Sequence, residues 1–267
     1  MHLNTFDQYQ SRESLIHRLD PRVKVVITFL IVLSNVLLPD GAWLAFLGTW
    51  GLILTINEIA RLGIRFLLLR SFIALPFALA AISVMFTLPG QPVVALGVGD
   101  TVFVISDTGL IRFASILLRS WISIQAAIIL TATTTFPDLI HALRHLRIPT
   151  ILVAIISFMY RYLFVLSDET MRLLRAREAR SAALRTGQRS RAGGSLVWRA
   201  RVTGNMIGQL FLRSYERSDR VYHAMLSRGY RGQLLTMNPH EFRRRDGFWG
   251  SIVLLILIVF QILGRVL

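Results

Sequence analysis

Six apolar runs, separated by short polar breaks, organise the chain. The first is 23–38, VKVVITFLIVLSNVLL, stopped by Pro39-Asp40-Gly41. The second, 42–56, is followed by Asn57, Glu58 and Arg61, and the third, 66–88, ends at Pro89-Gly90 with Pro76 set to kink it. The fourth lies within 113–136 and closes on TATTTF before Pro137-Asp138; the fifth is 150–167 and the last 247–264. A helix needs about 20 residues to cross a bilayer, so the third, fourth and last runs are comfortable spans, and the first, second and fifth are short ones. The N-terminal eighteen residues are polar and mixed, without the basic start and small-residue cleavage site of a secretory leader, so none is expected. Between the fifth and last runs the pattern changes. No Gly or Pro interrupts 150–185, and 196–228 places Met206, Ile207, Leu210, Phe211, Val221 and Met225 at helical spacing among arginines. These read as two long amphipathic helices joined by the loop GQRSRAGGS at 187–195, the second stopped by Gly229 in a left-handed cap. Segment 137–148, PDLIHALRHLRI, reads as a shorter amphipathic helix at the membrane interface.

Charge assigns these runs to sides. The 267 residues are 54% hydrophobic and 17% charged, with 30 Lys plus Arg against 15 Asp plus Glu, a net +15. Soluble domains are about 25% charged, so the chain reads as an integral membrane protein rather than a soluble enzyme. The stretch before the first run carries Arg12, Arg18 and Arg22, and the 57–65 loop carries Arg61 and Arg65; segment 89–109 has no Lys or Arg, only Asp100 and Asp107. The positive-inside rule then puts the N-terminus in the cytoplasm and 89–109 outside. Residues 137–245 hold 20 Arg and 7 acids, 20 − 7 = +13 of the total, which argues for keeping them cytoplasmic and run five uncrossed. The resulting all-α architecture has transmembrane helices one to four in 1–136, a cytoplasmic and interfacial region in 137–245, and a last span in 246–267. It makes five spans, or six if run five crosses.

Chemistry is sparse. There is no Cys, which excludes disulfides, thiol catalysis and Cys-ligated metals. No GxxxxGK[ST] loop occurs, and the single lysine is Lys24, so the chain should not hydrolyse ATP; no HExxH occurs either. His141 and His145 are spaced i, i+4 and could hold a metal, but polar positions on an interfacial helix explain them more simply, with Asp138 as a helix cap. Arg119 and Gln125 fall inside run four and must face protein or water, either a partner subunit or, for Arg119, the outer headgroups. Gly204 and Gly208, four apart, fit a close helix crossing and equally the ordinary glycine content of membrane helices. Each long helix ends on small residues around one arginine: Ala179-Arg180-Ser181 and Ser227-Arg228-Gly229. Small neighbours let a helix end enter a groove where the arginine can fork onto a carboxylate, although a basic face over anionic lipid would look much the same.

Three features together resemble the T component, the transmembrane coupling subunit, of energy-coupling-factor transporters. They are the entry SLIHRLDPRVK at 14–24, the paired motifs at 179–181 and 227–229, and the long helical pair before a final span. RYLFVLSDETMRLLRAREARS at 161–181 is most similar to the CbiQ type of cobalt and nickel importers, a type tied to cobalamin biosynthesis. The resemblance implies a non-catalytic role without cofactor or metal of its own, and no nucleic-acid partner. It implies docking of Ala179, Arg180, Ser181, Ser227, Arg228 and Gly229 on two ABC-type ATPase subunits, each arginine pairing with an ATPase acid. It further implies a substrate-binding membrane subunit, leaves room for a small accessory membrane subunit, and places the chain in the inner (plasma) membrane of a prokaryote. Ser181 and Ser227 depart from the family's Gly and Ala, but both remain small. Two other readings compete. A lipid-modifying enzyme would need catalysis from His141, His145 and Asp138, and a self-contained channel or transporter would need more polar residues through the spans.

Overall fold

The computed structural model describes residues 9–87, 91–98, 101–146, 148–182, 196–232 and 243–266. It divides into two compact units, 1–146 with 238–267, and 147–237.

The first unit is a helical bundle. Helix α1 (Pro21–Leu37) starts where Pro21 presets the first turn and Asp20 accepts the Arg22 N–H at 2.8 Å. Helix α2 (Trp43–Ile59) follows after the Pro39–Gly41 turn. At 17 residues each, α1 and α2 are roughly 26 Å long, at the short end for crossing a bilayer. The third run is broken, as Pro76 requires: α3 (Ile64–Ser71), a 3-10 turn (Phe72–Ala74), α4 (Leu75–Ala81) and α5 (Val84–Thr87), with a 47° bend at the break. Segment 89–109, which the charge pattern leaves as an outer loop, contains a two-stranded antiparallel ribbon. Its strands are β1 (Pro92–Val98) and β2 (Thr101–Ser106), paired from Pro92 opposite Ser106 to Val98 opposite Thr101. Ser106 then caps α6 (Asp107–Thr133), accepting the Gly109 N–H at 3.0 Å, so this helix starts six residues before the apolar run does. Helix α7 (Phe136–His145) packs on α1, and α10 (Arg244–Val266) packs on α1 and α2.

The interior is lined by Ile31, Phe46, Ile53, Ile122, Ile129 and Leu257, from α1, α2, α6 and α10. Asn35, Thr49, Asn57, Ser115 and Gln125 are buried with them, while Phe29, Leu47, Phe72, Leu79, Leu255 and Ile262 face outward. Polar groups inside and an apolar exterior are what a bilayer selects, because lipid gives no drive to bury Leu or Phe. Close helix contact occurs at several glycines, among them Gly109, where a Cβ would meet the Met85 carbonyl at 2.8 Å. A Cβ on Gly48 would meet the Phe260 ring at 2.7 Å, and one on Gly264 would meet Leu38 at 2.7 Å and Ala45 at 3.1 Å.

The second unit is a helical pair. Helix α8 (Thr150–Ala182) has 33 residues and α9 (Leu196–Ser227) has 32, roughly 50 Å each. They run antiparallel, since Glu169 meets Arg213 while Arg177 reaches Thr203. By length and composition, α6, α10 and the 150–180 part of α8 can each cross a membrane, as can the bent α3–α5 segment taken as one span. The chain is thus an all-α polytopic membrane protein with one short β ribbon.

Candidate functional site

Glu169 bridges the two helices of the pair. Glu169, its side chain 15% exposed, accepts from Arg213 on α9 at 2.7 Å and also from Arg172 one turn along α8. Arg177 Nη1 lies 3.5 Å from Thr203 Oγ1 nearer the far end. Toward the start of α8 the helices leave an apolar groove of about 510 Å³, floored by Ile155, Phe158, Tyr162 and Leu166 and closed by Phe211 and Tyr215.

Arg180 sits in the last turn of α8, exposed beside exposed Ala179. Its cation is favourable against the negative end of the helix. Ser181 falls in the same turn. At the other motif, α9 ends with Ser227; Gly229 adopts φ +80°, its N–H donates to the Leu226 carbonyl at 2.9 Å, and the Tyr230 N–H donates to Met225 at 3.0 Å. This is the left-handed cap the sequence predicts, with the pair of reversed hydrogen bonds that closes it. It leaves Arg228 exposed at the tip. Neither Arg180 nor Arg228 has an ion-pair partner among the described residues, whereas Arg172, Arg213 and Arg220 do. Because the helices are antiparallel, the two arginines lie at opposite ends of the pair. Thr203 stands beside Arg177, and Arg228 follows 25 positions later, so the separation is roughly 40 Å. Gly204 and Gly208 are exposed on α9, and a Cβ on either would meet nothing within 4 Å. The α8–α9 contact does not pass through them.

Several of the other singled-out residues have partners in the bundle. Arg119 donates to the Leu38 carbonyl and pairs with Asp40 at 2.9 Å, with Arg112 3.7 Å from the same carboxylate; its neighbour Asn35 donates to the Arg119 carbonyl at 2.9 Å. Arg119 therefore ties α6 to the α1–α2 turn. Asp107 accepts the N–H groups of Thr108 at 2.6 Å and Gln91 at 3.2 Å, holding the ribbon to α6; Asp100 lies outside the described residues. His141 is buried with its ring 4.7 Å from His145, and His145 Nδ1 engages the His141 carbonyl at 3.1 Å. Among the described residues no three His, Asp or Glu converge to hold a metal. Asp138 completes the cap of α7, accepting from Thr135 Oγ1 at 2.7 Å while Thr135 accepts the Asp138 N–H. Gln125 is fully buried, and neither atom of its amide has a hydrogen-bond partner among the described residues. An unmatched buried amide costs about 1–3 kcal/mol. Gln125→Met should therefore raise unfolding stability in detergent by about 1–2 kcal/mol; a fall on chemical denaturation would mean that the amide is matched within the bundle.

Lys24 has a role that sequence reasoning did not assign. Its Nζ is buried and donates to the carbonyls of Thr133 at 3.1 Å and His17 at 3.2 Å. Three acids, Asp138, Asp20 and Asp246, lie near enough to attract its charge, although none forms an ion pair with it among the described residues. Each of these acids starts a helix: Asp20 caps α1, Asp138 caps α7, and Asp246 accepts the Arg243 N–H at 3.1 Å at the start of α10. The adjoining His17 accepts from Ser14 Oγ at 2.7 Å and donates from Nε2 to the Gln10 carbonyl at 3.0 Å; burial lowers its pKa, which keeps it neutral. The entry sequence HRLDPRVK thus folds into a polar knot. The one available signal was a lone lysine among 29 arginines, in the first turn of an apolar helix.

The CbiQ family, described as cobalt transport protein, matches residues 12–238. The energy-coupling factor transporter transmembrane protein EcfT of Clostridium kluyveri is 26% identical over 272 residues, covering 98% of this chain and 97% of its own. Its counterpart in Thermosediminibacter oceani is 27% identical, covering 85% of this chain and 84% of its own. The cobalt transport protein CbiQ of Rhodobacter capsulatus is 26% identical over 67% of this chain and 70% of its own. A match through the entry knot, the bundle and the helical pair means that the chain belongs to the CbiQ family, as a non-catalytic transmembrane component of an energy-coupling factor transporter.

Proposed function

We propose that the chain couples two ABC-type ATPase subunits to a substrate-binding membrane subunit and thereby drives import of cobalt or nickel ions. The observation that carries this reading is the pair of exposed arginines, without ion-pair partners among the described residues, on small-residue helix ends at opposite ends of one antiparallel pair. Two binding ends roughly 40 Å apart suit two copies of one partner better than a single contact. Each arginine can fork onto an acidic residue of its ATPase. Domain 137–245 then acts as the coupling region, with the N-terminus on the cytoplasmic side of the inner membrane, a placement supported by Arg12, Arg18, Arg22, Arg61 and Arg65. The choice of cobalt or nickel rests on the family's description and the R. capsulatus relative's name. Native mass spectrometry of the complex co-expressed with its ATPase and substrate-binding partners is expected to give two ATPase subunits per copy of this chain. One or none would refute the two-ended docking.

A further inference from the structure

The groove between α8 and α9 is polar at one end and apolar along the rest. Arg217, Tyr162 and Tyr215 line it together. Arg217 is half-buried and has no ion-pair or hydrogen-bond partner among the described residues, and neither tyrosine hydroxyl has a hydrogen-bond partner there. The nearby acids are otherwise engaged or lie outside the lining. Glu169 takes Arg213, Glu216 takes Arg220, Asp219 faces His223 at 3.6 Å, and Asp168 is exposed. A guanidinium partly withdrawn from water, with no carboxylate of its own, favours an anion.

The register of the pair orders the groove. Glu169 lies against Arg213, so Arg217, one turn further along antiparallel α9, stands near Val165. Ile155 and Phe158 then lie roughly 10–15 Å away, toward the start of α8. That direction leads into the part of α8 apolar enough to cross a membrane, and the opposite direction leads into its Arg-rich half. The volume of about 510 Å³ falls among sites of about 300–1,000 Å³ that hold small ligands. A cation and two hydroxyls followed by an apolar channel match a phospholipid, which carries both chemistries in one molecule.

We propose that the groove holds an acyl chain of an anionic membrane phospholipid, with its phosphate on Arg217 and the hydroxyls of Tyr162 and Tyr215. The test places the full chain in phosphatidylcholine nanodiscs doped with phosphatidylglycerol bearing a photoreactive acyl chain. Peptide mass spectrometry should find adducts within 155–166 and 211–218, normalised to adducts on the outward face of α10 at Leu255 and Ile262. Phosphatidylcholine with the same photoreactive chain should give about fivefold fewer groove adducts. Arg217→Gln removes no contact within the pair and should bring the two lipids level. Arg201→Gln, an exposed arginine roughly 24 Å away along α9, should leave the preference intact. Met159→Trp, which fills the apolar end, should remove the groove adducts of both lipids. Equal labelling by the two lipids in the unaltered chain would mean a groove open to any apolar chain or to a protein segment, and would overturn the assignment. An equal effect of Arg201→Gln would reduce it to a general basic face and overturn it too.

Discussion

Arg180→Asp combined with Arg228→Asp should release both ATPase subunits from the purified complex and abolish ATP-driven uptake, with the chain itself still folded. Both side chains are exposed, and neither has an ion-pair partner among the described residues, so their loss removes nothing from the helical pair. The cap of α9 rests on Gly229 at φ +80° and on the backbone bonds of Gly229 and Tyr230, none of which needs the Arg228 side chain. Losing one partner of a buried, hydrogen-bonded ion pair at an interface costs about 2–5 kcal/mol, which is roughly 30- to several-thousand-fold in affinity. Aspartate adds repulsion between like charges. Because the arginines lie at opposite ends of the pair, the single variants should each lose one ATPase preferentially. Arg→Lys at both sites should weaken assembly without abolishing it, since lysine keeps the charge and loses the two-pronged geometry. Co-purification stoichiometry with vesicle uptake reads all of these; normal assembly and uptake in the double Asp variant would refute the docking role.

How far this site was legible beforehand depended on the range of the interactions that build it. Local signals read well. Pro76 predicts a break that falls at Phe72–Ala74, Gly229 predicts a left-handed cap, and unbroken helical spacing predicts α8 and α9 to within a few residues. Arg180 and Arg228 are legible for the same reason: a helix end and its neighbours are contiguous in sequence. Segment 89–109 reads as an outer loop because it lacks cations, and that same lack conceals the alternative of two apolar strands folded on each other at Pro92–Val98 and Thr101–Ser106. Long-range pairs give no periodic signal. Arg119 meets Asp40 across 79 positions, and Lys24 meets Thr133 across 109, so nothing near either residue announces its partner. Glycine spacing misleads for a related reason. Gly204 and Gly208 carry the crossing pattern, yet close approaches fall at Gly48, Gly109 and Gly264, chosen by the facing Phe260, Met85, Leu38 and Ala45.

Lys24→Met should be a damaging substitution in the bundle itself, lowering unfolding stability by about 1–3 kcal/mol, the usual result of leaving buried acceptors without their donor. Methionine fits the volume and can pack, so the loss is electrostatic. Two carbonyls, of Thr133 and His17, lose their shared donor, and Asp20, Asp138 and Asp246 lose a nearby positive charge. The attribution is checked by a double-mutant cycle. If repulsion among the acids is the dominant loss, Lys24→Met with Asp246→Asn should be less destabilised than the sum of the two single variants, by a coupling of about 0.5–3 kcal/mol. Lost packing would instead give additive effects. Ile31→Val, a core change on the same helix away from the knot, should cost about 0.5–1.5 kcal/mol and add simply to Lys24→Met. Equilibrium denaturation in detergent micelles measures each term. Additivity of Lys24→Met with Asp246→Asn would show that the ammonium and the start of α10 are held independently, and the knot would then be two separate contacts.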